Sequence, residues 1–204
     1  MKNLKIVKAC SIASIAGLGM VAVPAMAAGP DATPAGKYTF SGTTHLNQGS
    51  FNATCTLTLM GNVSNTTSPA GVYLDITGGQ VTGSSFLCGQ INLSGFTATQ
   101  SGTPAAPGAW EAFKSDNDIQ SDLNANALGP VTLDVQAITV STLFGTCQGA
   151  VTADFLNGQS AVGDPSYFTF DTNIGSSNCA IETTDPTGLV VQPSMSDNAD
   201  VNIQ

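Results

Sequence analysis

Arginine is absent from this 204-residue chain, and three of its five lysines, Lys2, Lys5 and Lys8, crowd the first eight positions. Only Lys37 and Lys114 remain beyond them, so residues 28–204 set two cations against 14 Asp+Glu, a net charge of −12. Such a surface repels phosphate backbones and anionic headgroups, which excludes nucleic-acid binding through basic contacts and a polybasic hold on lipid. Histidine is nearly missing as well. His45 alone must serve any imidazole chemistry, and no G-x-S-x-G turn supplies it with a nucleophile. Glu111 and Glu182 are the only glutamates, and one Trp with three Tyr make a poor sugar-stacking platform, so a paired-carboxylate glycosidase is disfavoured. Helical periodicity is scarce, and no later segment approaches the roughly 20 apolar residues of a spanning helix. The inventory points to a chain with no catalytic side chain and no cofactor.

What is present begins with an export signal. The early lysines, an apolar run from Ile12 to Val23, and Ala25, Met26 and Ala27 as a small-x-small cleavage site predict a secretory signal peptide over 1–27. Cys10 leaves with it, and Lys8 in front of that cysteine argues against a lipid anchor. Cleavage implies periplasmic transit and an extracellular or cell-surface destination. Four cysteines then remain: Cys55, Cys88, Cys147 and Cys179. In an oxidising compartment an even set reads as disulfides before metal ligands, and separations of 33, 59 and 32 residues lack the close pairs of a zinc site. Three connectivities are open. Local pairing, Cys55 with Cys88 and Cys147 with Cys179, is preferred because the separations nearly match and each second cysteine follows a Gly-Ser-Ser run, 83–85 and 175–177. The echo raises two related β modules, one bridge in each.

The body of the chain reads as short strands. Tyr38 and Phe40 alternate with Thr39 and Ser41; Cys55, Leu57 and Leu59 alternate with Thr56 and Thr58; Val72, Leu74 and Ile76 keep the same period of two. Val131, Leu133 and Val135 hold one phase and Ile138 and Val140 the other, which predicts a bulge at Gln136 and Ala137. Residues 62–71 read as a turn region. Glycines and prolines separate the runs, so the expected fold is all-β, an antiparallel β-sandwich or jelly-roll-like barrel with two disulfides. The expected organisation is a flexible leader over 28–36 and a single β domain over 37–204. Within it, halves 37–100 and 130–192 are joined by an acidic loop segment, with residues 103–108 as loop and the last ten residues as a ragged end. Asp116, Asp118 and Asp122 in that segment are a weak calcium candidate, since hard cations take six to eight oxygens, though the spacing lacks an EF-hand's glycine and closing glutamate. Asn52, Asn62 and Asn65 begin N-x-S/T triplets and are read as turn residues.

Four stretches, Cys55 to Gly61, Gly83 to Cys88, Gly145 to Gly149 and the late Cys179, resemble the PraA/PraB-type secreted bacterial proteins described as protein activators of alkane oxidation. The resemblance implies a non-catalytic factor outside the cell that helps bacteria handle hydrophobic material such as alkanes. Its partners would be hydrophobic surfaces or cell-surface components. A physical route exists: an alternating strand that partly opens at an oil–water boundary puts its apolar face in oil, and the negative charge keeps coated droplets apart. The rival class is a structural subunit of a fibre, biofilm matrix or adhesin that self-associates through strand edges, favoured by the scarcity of edge lysines.

Overall fold

A computed structural model describes residues 29–96, 109–159 and 164–204. The expected signal peptide over 1–27 and the loop over 103–108 lie outside the described residues. Thirteen strands follow one another among the described residues: β1 Ala32–Thr33, β2 Gly36–Gln48, β3 Phe51–Thr67, β4 Ala70–Thr82, β5 Asn92–Ser94, β6 Glu111–Ser115, β7 Val131–Thr142, β8 Gly145–Leu156, β9 Tyr167–Thr169, β10 Asp171–Asn173, β11 Cys179–Thr183, β12 Leu189–Val191 and β13 Asn202–Ile203. One helix, α1, spans Asp116–Ala125.

Pairing closes eight of these strands into an antiparallel barrel in the order β2, β3, β4, β6, β7, β8, β9, β12 and back to β2. Neighbours in space are thus neighbours in sequence, apart from short insertions. This corrects the sandwich or jelly-roll expectation, because alternation determines which face is buried but not whether a sheet curls onto a second sheet or onto itself. The two halves close this one barrel together, and each supplies one bridge: Cys55–Cys88 and Cys147–Cys179, the local pairing.

The predicted bulge is present. Val135 faces Val151, the next paired residue is Ile138 opposite Gly149, and Ala137 between them has φ 55°. It also changes β7's neighbour: Gln136 faces Glu111 of β6, while residues 139–141 face β5. A second change of neighbour occurs along β2, beside β12 at Phe40 and Ser41 and beside β11 from Thr44 to Gln48. Gly42 lies at the junction, where a Cβ would come 2.1 Å from the Gly188 carbonyl oxygen.

Three expectations fail for related reasons. β3 continues through residues 62–67, and only Ser68 and Pro69 turn, because Asn62 to Thr67 pair in unbroken register with Asp75 to Ala70 of β4. The acidic segment is partly helix: the Ser115 hydroxyl accepts from the Asp118 N–H and donates to the Asp118 carboxylate, capping α1, whose Ile119 is fully buried. The leader and the ragged end pair with each other, Ala32 with Ile203 and Thr33 with Asn202, and bury Val201 and Ile203.

Candidate functional site

Alternation sends Leu57, Leu74, Val140 and their counterparts into the barrel and leaves Thr54, Thr132, Asp134 and Thr152 outside. A polar exterior around an apolar interior is the reverse of a lipid-embedded barrel. No helix among the described residues is long and apolar enough to cross a membrane. Phe40, Phe155 and Phe168 stack edge to face and tilted, with centroids 4.8 and 5.0 Å apart, and form a floor across the interior. Below it a cavity of about 20 Å³ is stopped by Val201 and Ile203. Above it lies the larger cavity, about 70 Å³, reaching Leu46, Ala53, Leu93, Val140 and Ile181.

This upper cavity offers almost nothing polar. The Thr44 hydroxyl donates to the Cys55 carbonyl and the Trp110 indole N–H donates to the Ser94 carbonyl at 2.8 Å, so both polar groups in the lining are already bonded. The surrounding end of the barrel carries the β2–β3 and β7–β8 hairpins, the short 3-10 turn Phe86–Gln90 and both disulfides. It also carries the three most exposed large apolar side chains among the described residues: Phe86 at 74%, and Leu143 and Phe144 at 60% each. Phe144 packs edge to face on buried Phe51, with ring centroids 6.0 Å apart.

The titratable candidates lie on the outer wall. His45 Nδ1 is 2.8 Å from Glu182 Oε1 and Nε2 is 2.8 Å from Asn52 Oδ1, which ties β2 to β11 and β3. The hydrogen bond to Glu182, then that to Asn52, raises the imidazole pKa. Both nitrogens face acceptors, so neither is open to take a proton from a nucleophile. Glu111 sits on β6, with three strands between it and Glu182 on β11, so the two glutamates are not a facing pair. Asn65, from the glycosylation triplets, is bound to Ala32 through both amide atoms.

The calcium candidates are dispersed. Asp118 binds the Ser115 cap, while Asp122 is 2.7 Å from Lys114 Nζ and accepts from the Thr132 N–H. Among the described residues no group of three His, Cys, Asp or Glu is placed to hold a metal ion. Lys114 in turn donates to the Thr132 carbonyl at 2.7 Å. The ion pair therefore bonds both backbone groups of Thr132, standing in for a strand where β6 and β7 diverge.

One group escaped the sequence reading. Asp75 on β4 is fully buried, and neither carboxylate oxygen has a hydrogen-bond partner among the described residues. Burial, reinforced by Glu111 directly opposite on β6, pushes its pKa up to about 6. It belongs to a transverse row, Lys37, Asn62, Asp75, Glu111 and Gln136, crossing five strands. In the sequence it looked like one more outward polar residue of an alternating strand.

The described residues thus form an antiparallel, disulfide-linked barrel whose interior is lined by hydrocarbon. The chain belongs to the alkane oxidation protein activator PraA/PraB-like family, whose model matches residues 1–196. No curated protein and no solved structure matches it.

Proposed function

We propose that this chain is a secreted, non-catalytic accessory protein that promotes bacterial handling or oxidation of hydrophobic substrates such as alkanes by acting at oil–water or cell surfaces. The observation that carries the reading is that three of the four large apolar side chains more than half exposed among the described residues, Phe86, Leu143 and Phe144, lie at the hairpin end of the barrel, while the fourth, Met195, lies beside Thr39. Exposed apolar groups gathered at one end mark a contact surface. The paired strands stay paired in this view, and the hairpin tips enter the oil in place of an opened strand. Assembly through strand edges is less well supported, because the long strands β2, β3, β7 and β8 each have partners on both sides, at least in part.

The test uses the secreted protein with hexadecane. The wild type should lower oil–water interfacial tension and promote growth on hexadecane, and the F86S/L143S/F144S variant should lose both effects while remaining folded. Unchanged activity in that folded variant defeats the interfacial route. A hundredfold loss in folded His45→Ala, Glu111→Gln or Glu182→Gln, about 2.7 kcal/mol in barrier terms, restores an enzyme.

A further inference from the structure

We propose that a gap in the barrel wall between β4 and β5 leads to an internal site for the end of one uncharged, unbranched alkyl chain. The site deepens the accessory reading above and rests on it for biological meaning, though its geometry stands on the barrel alone. Among the described residues, Gly78–Thr82 of β4 pair with β3 on one side and with no strand on the other. β5 pairs with β7 alone, and β6 reaches only as high as Glu111. The break begins at the level of the β7 bulge, where β6 gives way to β5.

Side chains at this break are the cavity's own lining: Val81 from β4, Ile91 and Leu93 around β5, and Trp110 just before β6. Gly79 lets Leu59 and Leu93 close over the inner margin, since a Cβ there would lie 2.9 Å from Leu59 Cδ2, 3.1 Å from the Thr58 carbonyl oxygen and 3.2 Å from Leu93 Cδ1. The wall at this point is thus held by side-chain contact and not by a hydrogen-bond ladder. Parting it exposes apolar surface but breaks no backbone hydrogen bond of a β4–β5 ladder.

The occupant follows from the lining. Because the Thr44 and Trp110 donors are already bonded, a polar group brought inside would lose its water and gain no partner. The volume, about 70 Å³, is near half of the roughly 150 Å³ apolar cavity that takes up benzene, so it receives the last few carbons of a slender chain and excludes a ring. Charge selects further. Lys37 opens β2 and Lys114 adjoins α1, both at the end remote from the hairpins, and Lys114 is already paired with Asp122. A carboxylate head outside the gap would therefore meet an acidic surface with no cation at hand.

The experiment follows methyl- and phenylalanine-labelled, disulfide-intact protein by NMR with three probes: hexadecane, palmitate at pH 7, and phosphatidylcholine vesicles. Hexadecane should give cross-relaxation to the Leu93 and Val140 methyls, palmitate should bind at least tenfold more weakly, and vesicles should reach only Leu143 and Phe144. Folded Ala153→Phe, which fills the far wall, should abolish the internal signals; Gly79→Ala, a milder change, should slow hexadecane uptake several-fold. The proposal is overturned if hexadecane touches only Leu143 and Phe144, if palmitate binds as well as hexadecane, or if folded Ala153→Phe binds like wild type. Should Ala153→Phe not fold, unchanged uptake by Gly79→Ala overturns it. Internal binding without growth promotion would defeat the accessory role and leave the site, whereas growth promotion without internal binding would do the reverse.

Discussion

The two ends of the barrel are held by different chemistry. At the end where the termini meet, polar side chains bond backbone: Tyr38 OH donates to the Pro34 carbonyl, Asn157 exchanges bonds with Ile203, Ser166 and Asp200 join, and Lys114 with Asp122 seals β7. At the hairpin end two disulfides are added to the Thr142–Gln48 and His45–Glu182 hydrogen bonds, and the cavity and the exposed apolar tips lie at that end. A network of directional bonds fixes one packing and leaves no room to deform. Covalent ties set at the margins permit an underfilled interior and a wall that lacks a ladder.

The largest expected effect tests the covalent end. Removing Cys147–Cys179 by the C147A/C179A pair releases a loop of 32 residues and should cost roughly 3.5 to 4 kcal/mol on chain-entropy grounds, read by urea unfolding. Hydrogen exchange should quicken first in β10 and β11, and uniform loosening would erase the contrast between the ends.

Asp75 lies between the two regions and sets a pH dependence. Its folded pKa is raised from 3.8 to about 6, so its proton binds more tightly in the folded state. Stability from this group is fully present below about pH 4 and is lost as pH rises through about 6. The linkage amounts to about 3 kcal/mol at pH 7. Asp75→Asn should recover much of that at pH 7, little at pH 4, and flatten the stability profile between. A profile of the same shape in the variant would show that the carboxyl is not the titrating group.

A smaller loss should follow at the bonded end from Lys114→Met, which leaves Asp122 unpaired and the Thr132 carbonyl unbonded. About 1 to 2 kcal/mol is expected, with faster exchange at the Thr132 amide but not near Leu93. His45→Ala should cost least, under about 1 kcal/mol, since the pair with Glu182 is partly exposed. Its sign is fixed by the raised imidazole pKa: the contribution is full below the unfolded value near 6.5 and fades as pH rises through the folded one. A loss that grows with pH would contradict the assignment.

Much of this molecule is decided locally and can be read in the chain. Period-two alternation marks Tyr38 and Phe40, Leu57 and Leu59, and Val72 to Ile76 as strands; the phase break marks the bulge at Ala137; matched spacing and the Gly-Ser-Ser echo mark the disulfide partners. Even α1 had a legible signal in Ser115 and Asp118, three apart, which the excess of aspartate concealed. What the linear pattern leaves open is closure. Whether β2 meets β12 depends on the accumulated twist and stagger of eight strands, a property of the whole sheet that no window of residues contains. Closure then decided everything about the candidate site: it made the inward faces of distant strands into one cavity, left β4 and β5 unladdered, and buried Asp75 beside Glu111. It also brought residues 32–33 against 202–203, because a barrel has an open end and the apolar side chains inside it must be covered by whatever chain lies nearest.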